Sequence, residues 1–433
     1  MTRLTRLLIA TIVAVPTAGL AHEPDEPTPP PGVSAEEMKL LRAGVAADNK
    51  PSNRPAPAKP VVIGGGARNQ GNAAGQPGSA GFSGFSAQPL IGAMNPNISL
   101  ILDTAAAWFS SDKPMQTGAH DPNSTGFNLQ QLELHIESAV DPYFEMQTNI
   151  VFAQFGVEVE EAYARSLSLP GRMQIRAGQF LAPLGRLNPT HPHSWKFADQ
   201  PLVNGKFLGS EGLRGLGIEA SWLLPTPWYA ELTSAVQMGR DACCARSFWG
   251  GDALPVKSPL DLVAIARLAQ FFPVDNDWSV MWGLSAVLGP NSSGVGNRTE
   301  IYGSDLFVRF RPIADPQRRS LSWHTEWLFR ARQTPGDSLQ DQGWMTSLVW
   351  QYALRWEVGA RAERVTGVAN DPLDPQWTGD RGRYTGQWTF YPSHFSRFRL
   401  QASVDTPSWR EDPVIAVFVA GEVLIGAHGA HKF

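Results

Sequence analysis

Side chains able to do chemistry concentrate in one polar stretch of this chain, residues 181–214, which carries Arg186, His191, His193, Lys196, Asp199, Lys206, Glu211 and Arg214. Imidazoles and carboxylates are the usual groups of acid–base and metal chemistry. His191-Pro192-His193 offers two nitrogen donors but no third ligand at a fixed spacing, so it reads as a pair of polar loop histidines and no metal site is expected. His428 and His431 are three residues apart, a spacing that gives a shared face only on a helix. Glu133/His135 and His324/Glu326 are each two apart, which places both members of a pair on one face of a strand. Neither pair has a serine in a recognisable nucleophile motif, so no enzyme activity is expected and no cofactor is implied. Cys243 and Cys244 are adjacent. Neighbouring Cα atoms about 3.8 Å apart fall below the usual disulfide range, so a vicinal bridge would be strained, and the redox state of the pair is open.

What must position these residues is a series of alternating runs. Between Phe127 and Ala153, one face carries Leu132, Leu134, Ile136, Phe144, Met146, Ile150 and Phe152, and the other Gln131, Glu133, His135, Glu137, Glu145, Gln147 and Asn149. Two antiparallel strands with opposite faces produce that pattern. Further runs of about ten residues follow, giving about sixteen strands in all, at approximately 98–109, 127–140, 143–154, 157–168, 173–180, 215–223, 228–237, 260–272, 278–288, 300–311, 320–332, 343–352, 355–365, 382–391, 396–404 and 413–425. In 157–168 the faces conflict, because Glu158 and Glu160 oppose Glu161 and Arg165.

The connections alternate short and long. The long set comprises 110–126, 181–214, 238–259, 289–299, 333–342, 366–381 and 405–412, with Phe155-Gly156 the one short member on that side. Segregation of this kind belongs to outer-membrane barrels, with tight periplasmic turns and longer external loops. Of the fifteen tryptophans, Trp222, Trp228, Trp278, Trp282, Trp323, Trp327, Trp344, Trp350, Trp356 and Trp388 fall on apolar-facing positions, as in an aromatic girdle. The expected fold is all-β: a transmembrane antiparallel barrel, closed because a sheet edge in lipid leaves its backbone groups unsatisfied.

The 433 residues have a formal charge of -4 and two cysteines, a balance that suggests neither nucleic-acid binding nor a disulfide framework. Arg3 and Arg6 ahead of an apolar run from Leu7 to Val15, with Gly19-Leu20-Ala21 behind it, predict a signal peptide over 1–21. Residues 22–96 are rich in Pro, Gly, Ala and Asn, the composition of a mostly disordered periplasmic arm, with one short helix expected after the capping-box spacing at Ser34–Glu37. The barrel is expected over 97–433.

Two features add a family resemblance. The terminal Phe433 after Val414-Ile415-Ala416-Val417-Phe418-Val419 resembles the signal read by the outer-membrane assembly machinery, although His431 stands where a hydrophobic residue is usual. Gly178-Gln179-Phe180-Leu181-Ala182-Pro183-Leu184-Gly185-Arg186 is similar to the segment entering the third external loop of phosphate- and polyphosphate-selective porins, and Gly303–Arg309 and Trp356–Arg361 have porin-like strand patterns. The dense lysine clusters of a phosphate-selective channel are absent from the sequence. The resemblance implies a bacterial outer-membrane porin, commonly a homotrimer, passing small hydrophilic solutes or ions passively. It also implies that the loop 181–214 folds inward, so that Arg186, His191, His193, Lys196, Asp199, Glu211 and Arg214 meet the solute at a constriction. Charges of both signs there create a transverse field. Glu133, Glu137, Glu145 and Asp103 then form an acidic wall of the lumen, opposite a cationic wall of Arg309, Arg330, Arg361, Arg397 and Arg399. The competing expectations are a gated receptor or metal-uptake barrel, which needs a folded plug, and an adhesion or structural barrel with no open conductance.

Overall fold

The computed structural model describes residues 96–154, 156–241, 243–250 and 256–426. The expected signal peptide, helix at 34–41 and nearly all of the arm, with His428, His431 and Phe433, lie outside the described residues.

Sixteen strands run in sequence: β1 (Asn97–Phe109), β2 (Gly126–Ala139), β3 (Phe144–Ala153), β4 (Gly156–Ser166), β5 (Met173–Leu181), β6 (Arg214–Leu223), β7 (Tyr229–Gln237), β8 (Val263–Pro273), β9 (Trp278–Pro290), β10 (Arg298–Phe310), β11 (Ser320–Thr334), β12 (Asp337–Ala353), β13 (Trp356–Val365), β14 (Arg381–Ser393), β15 (Ser396–Pro407) and β16 (Val414–Gly426). A short helix, α1 (Leu202–Phe207), interrupts the connection between β5 and β6. Each strand pairs antiparallel with the next, and β1 closes the barrel on β16, Ser99 opposite Gly426.

The sidedness is the reverse of a soluble sandwich. On β15 the inward residues are Arg397, Arg399, Gln401, Ser403 and Asp405, all buried, while Phe398 and Leu400 between them are each 49% exposed. Trp388 and Tyr384 stand outward on β14 between buried Arg383, Thr385 and Gln387. An outward apolar belt with a polar interior is what a lipid-facing barrel requires, and the closed order gives every strand two neighbours.

One sequence expectation is corrected. The long connection expected at 333–342 is a tight turn at Pro335-Gly336, with Gly336 at φ +83°, and Thr334 pairs directly with Asp337. The polar run Asp337–Gln342 that reads as loop is strand, because its alternate members Leu339 and Asp341 face the interior. Cys243 and Cys244, whose redox state the sequence leaves open, are joined in a vicinal disulfide. The conflict in β4 is resolved by a bulge: Asn149 pairs with Glu161 and Ile150 with Val159, so Glu160 is the extra residue and both Glu160 and Glu161 point inward, where they are buried. A second bulge on β2, between the pairs Asp103–Gln131 and Thr104–Leu129, turns Gln130 inward beside Gln131. Bulges re-aim side chains in this way.

β5 follows β6 along its whole length but β4 only in part. Its pairing with β4 covers only Ala162–Gln179 to Arg165–Arg176. Within that pairing Gly178, at φ +138°, lies against β4, and a Cβ there would stand 2.3 Å from the Ala162 carbonyl oxygen. Gly178→Val is therefore expected to lower the temperature at which the folded barrel converts to the unfolded form on unboiled gels, by strain of roughly 1–3 kcal/mol. An unchanged conversion temperature contradicts this.

Candidate functional site

The connection 182–213 turns into the barrel and is stitched to its wall along the whole length. Its neck is closed by a 2.8 Å hydrogen bond from the Ala182 N–H to the Leu213 carbonyl. The Asn188 amide donates to both the Ala182 and Leu213 carbonyls (2.9 Å each) and accepts from the Leu213 N–H. Beyond the neck, the Glu326 carboxylate of β11 accepts from the N–H groups of Arg186 (2.8 Å) and Leu187 (2.7 Å). The Arg186 guanidinium lies over the Phe307 ring.

A 3-10 turn at Pro192–Ser194 then brings the two loop histidines, stacked on one another, to the opposite wall. His191 is held between Glu160 and Glu161 of β4 (2.9 and 2.8 Å), and His193 Nδ1 is 2.7 Å from Glu133 of β2. The chain next crosses toward β13–β15. Lys196 Nζ donates to Glu357 (2.7 Å), and the carbonyls of His193, Trp195 and Phe197 accept from Arg397 and Arg399. Asp199 takes Arg361 at 2.7 Å, Arg383 at 2.9 Å and Gln401 at 2.7 Å. In α1 the Leu202 N–H donates to Glu363 of β13, and Lys206 pairs with Asp341 of β12 at 2.9 Å. On the way back Glu211 meets Arg214 at 2.7 Å, and Arg214 also holds Glu158.

Apolar packing reinforces these bonds. Leu202, Val203 and Phe207 of α1, with Leu184, Leu208 and Leu213, pack in one cluster with the wall residues Val263, Ile265, Val287, Ile301, Leu328, Met345 and Val365. Burying each such side chain is worth roughly 1.5–3 kcal/mol. Toward the long-loop end, inward side chains are buried on every strand; Arg330, Arg332, Arg383 and Lys206 are at most 1% exposed. Toward the short-turn end the interior opens: the Lys196 side chain is 48% exposed, and Glu137, Glu145 and Arg165 are partly so. A packed outer half and an open inner vestibule differ from a bore that is water-filled throughout.

Charges in so dry an interior have to be paired. Burial alone would raise the Asp199 carboxyl, but the Arg361 and Arg383 guanidiniums outweigh it and hold the group below its ordinary value. Burial depresses Lys206 in spite of Asp341. His191 is buried as well, which by itself favours the neutral ring; Glu133, Glu160 and Glu161 overcome this and raise it well above the ordinary imidazole value. Burial pushes the Glu211 carboxyl up to about 7 against the pull of Arg214.

The structure thus brings all seven loop residues singled out by sequence into the interior, each against a wall or loop partner. The inward-facing Glu133, Glu137 and Glu145 share one sector, with Glu145 paired to Arg165 at 2.7 Å and Glu137 near His135. The opposite sector is not the uniformly cationic wall expected from Arg309, Arg330, Arg361, Arg397 and Arg399. Arg330 is held by Asp341 and Asp374, Arg361 by Asp199 and Glu363, and Arg397 and Arg399 by Glu422. Sequence reasoning overlooked Arg383, Asp405, Glu363 and Asp341, although their alternation with outward residues on β12–β15 was readable. It could not have found Glu160, whose inward direction depends on the bulge.

No family model matches the chain. An uncharacterized protein of Aquifex aeolicus is 32% identical over 339 residues, which cover 71% of this chain and 70% of that one. Among solved structures, OprB of Pseudomonas putida covers 78% of this chain and 96% of its own at a TM-score of 0.53 and 10% identity. An anion-selective porin from Comamonas acidovorans covers 76% and 99% at a TM-score of 0.50, also at 10% identity. At that identity the likeness is one of fold, an outer-membrane porin-type barrel.

Proposed function

Because this chain belongs to one family with the uncharacterized Aquifex aeolicus protein and folds as a porin-type barrel, we propose that it is a bacterial outer-membrane channel. Small hydrophilic solutes or ions cross it passively, and the connection 182–213 sets the constriction through Arg186, His191, His193, Lys196, Asp199, Glu211 and Arg214. The observation that carries this reading is the path of that connection, which is anchored on β2 and β4 by its histidines and on β13–β15 by Lys196 and Asp199. A surface loop would leave those lumen-facing partners to water. The close pairing of the interior arginines with carboxylates argues for a narrow, weakly selective passage over a dedicated phosphate track.

A second reading, a barrel without open conductance, has the burial of inward side chains at the long-loop end in its favour. Planar-bilayer recording of the purified full chain separates the two. Discrete openings of small size support the channel, and silence under a voltage ramp supports the closed barrel. Lipid contact through the outward apolar belt, insertion by the outer-membrane assembly machinery and assembly into a homotrimer are part of the same proposal. Four consecutive strands, β2–β5, carry no tryptophan on their outer face, a sector suited to contact with another copy in place of lipid headgroups. In the same recording, Glu145→Lys is expected to shift the reversal potential in a salt gradient toward anions, because Glu145 stands in the partly exposed acidic sector. An unmoved reversal potential contradicts the assignment of Glu145 to the passage.

A further inference from the structure

The two bulges place their extra residues around one point. Gln130 of β2 donates through its amide to the His120 carbonyl at 2.9 Å, and its own carbonyl lies 3.3 Å from His120 Nδ1. Glu160 of β4 stands between two imidazoles: one carboxylate oxygen is 3.2 Å from His120 Nε2 and the other 2.9 Å from His191 Nδ1. Glu133 Oε1 is 4.0 Å from that same His191 nitrogen. His120, Glu160 and Glu133 are all at least nine-tenths buried. Ligand atoms of Glu133, Glu160 and His191 lie within 4.8 Å of one another, and so do those of His120, Glu160 and Glu211.

Two observations point to a cation. Ligands at about 2.1 Å from a tetrahedral first-row dication stand about 3.4 Å apart, and the spacings from Glu160 and His191 bracket that distance. A cavity of about 20 Å³, bordered by His120, Glu160, His191 and Glu211, adjoins the cluster and has room for one water-sized species.

We infer that this cluster is a site for one first-row divalent cation of the zinc type, with Glu133, Glu160 and His191 as its ligands and His120 beside Glu160 as an outer partner. Mixed imidazole and carboxylate donors suit such ions. The cation replaces imidazole protons in the cluster, and Arg214 keeps Glu211 as an outer partner. Bound there, it joins the connection 182–213 to β2 and β4, and the loop 110–125 follows through His120 on Glu160. The site stands apart from the channel reading, since binding is measured without conductance.

The test is Zn²⁺ titration calorimetry on the full chain folded in detergent and washed with chelator, in an H428A/H431A background that removes the two carboxyl-terminal histidines. Expected is one Zn²⁺ per chain with a Kd below about 10 μM, weakened at least roughly tenfold by Glu160→Gln and by His191→Gln and unchanged by His324→Ala on the far wall. Each variant is checked for folding by its migration on unboiled gels. Two results overturn the proposal: a folded parent that takes up less than half an equivalent, or folded E160Q and H191Q proteins that both bind as the parent does. The parent titration decides the matter even if a variant fails to fold.

Discussion

Replacing residues 183–212 with a two-residue Asn-Gly turn is expected to raise single-channel conductance roughly tenfold, since a sixteen-stranded barrel without an inward loop encloses an aqueous bore. The cut is geometrically mild. Ala182 and Leu213 already share a backbone hydrogen bond of 2.8 Å, so β5 and β6 continue to the cut as a hairpin, and a two-residue turn suits that geometry. The excision removes every partner that now covers Arg361, Arg397 and Arg399 from the loop side, and exposes the wall residues Val263, Ile265, Val287 and Ile301 to water. Those wall residues make the excised protein less stable, yet the barrel's own hydrogen-bond ladders, none of which involves 183–212, remain. A shortened protein that is folded by gel migration and no more conductive than the parent would remove the loop from any role in limiting passage.

Asp199→Ala is expected to destabilise the docked loop by roughly 3–5 kcal/mol, the usual cost of removing one member of a buried ion pair. Asp199 is fully buried and is the shared partner of Arg361 and Arg383, so its loss leaves two guanidiniums uncompensated on that side, although Glu363 and Asp405 hold their other faces. The segment 195–200 should then open to trypsin at Lys196 while α1, held by Leu202, Val203 and Phe207, stays in place. Limited proteolysis reads this directly, and equal cleavage rates in parent and variant would refute it. The sign with pH follows from the depressed carboxyl. Asp199's contribution is complete above its ordinary value of 3.8 and is lost as pH falls through the lower folded value. The parent should therefore become more cleavable by an acid protease below about pH 4, and the D199A protein should change less over that range.

Much of the barrel was legible because its cause is local. A strand that faces lipid on one side and protein interior on the other must alternate, so β14 and β15 state their direction residue by residue: Tyr384, Trp388, Phe398 and Leu400 outward, Arg383, Gln387, Arg399 and Gln401 inward. Strand number and most boundaries follow from that alternation, whereas the inward turn of the connection 181–214 was implied only by the resemblance to porins. The misreading of 333–342 has the same origin. Asp337–Gln342 is polar enough to pass for loop, but it alternates, and Gly336 supplies the positive φ that a two-residue turn needs.

What the sequence by itself determined is therefore the wall: an all-β, lipid-facing barrel with a polar interior, and one connection rich enough in charge to matter inside it. Only the tertiary structure decided who meets whom in that interior. Glu160 faces the lumen because one added residue in β4 shifts the pleat, an event with no signature in composition. The arginines of β11–β15 are neutralised by carboxylates as near as Glu363, on the same strand as Arg361, and as far along the chain as Asp199, which reaches Arg361 and Arg383 from the inward connection. A packed, water-poor interior makes such pairing compulsory, but which carboxylate serves which guanidinium is set by register and loop path, both of which are long-range.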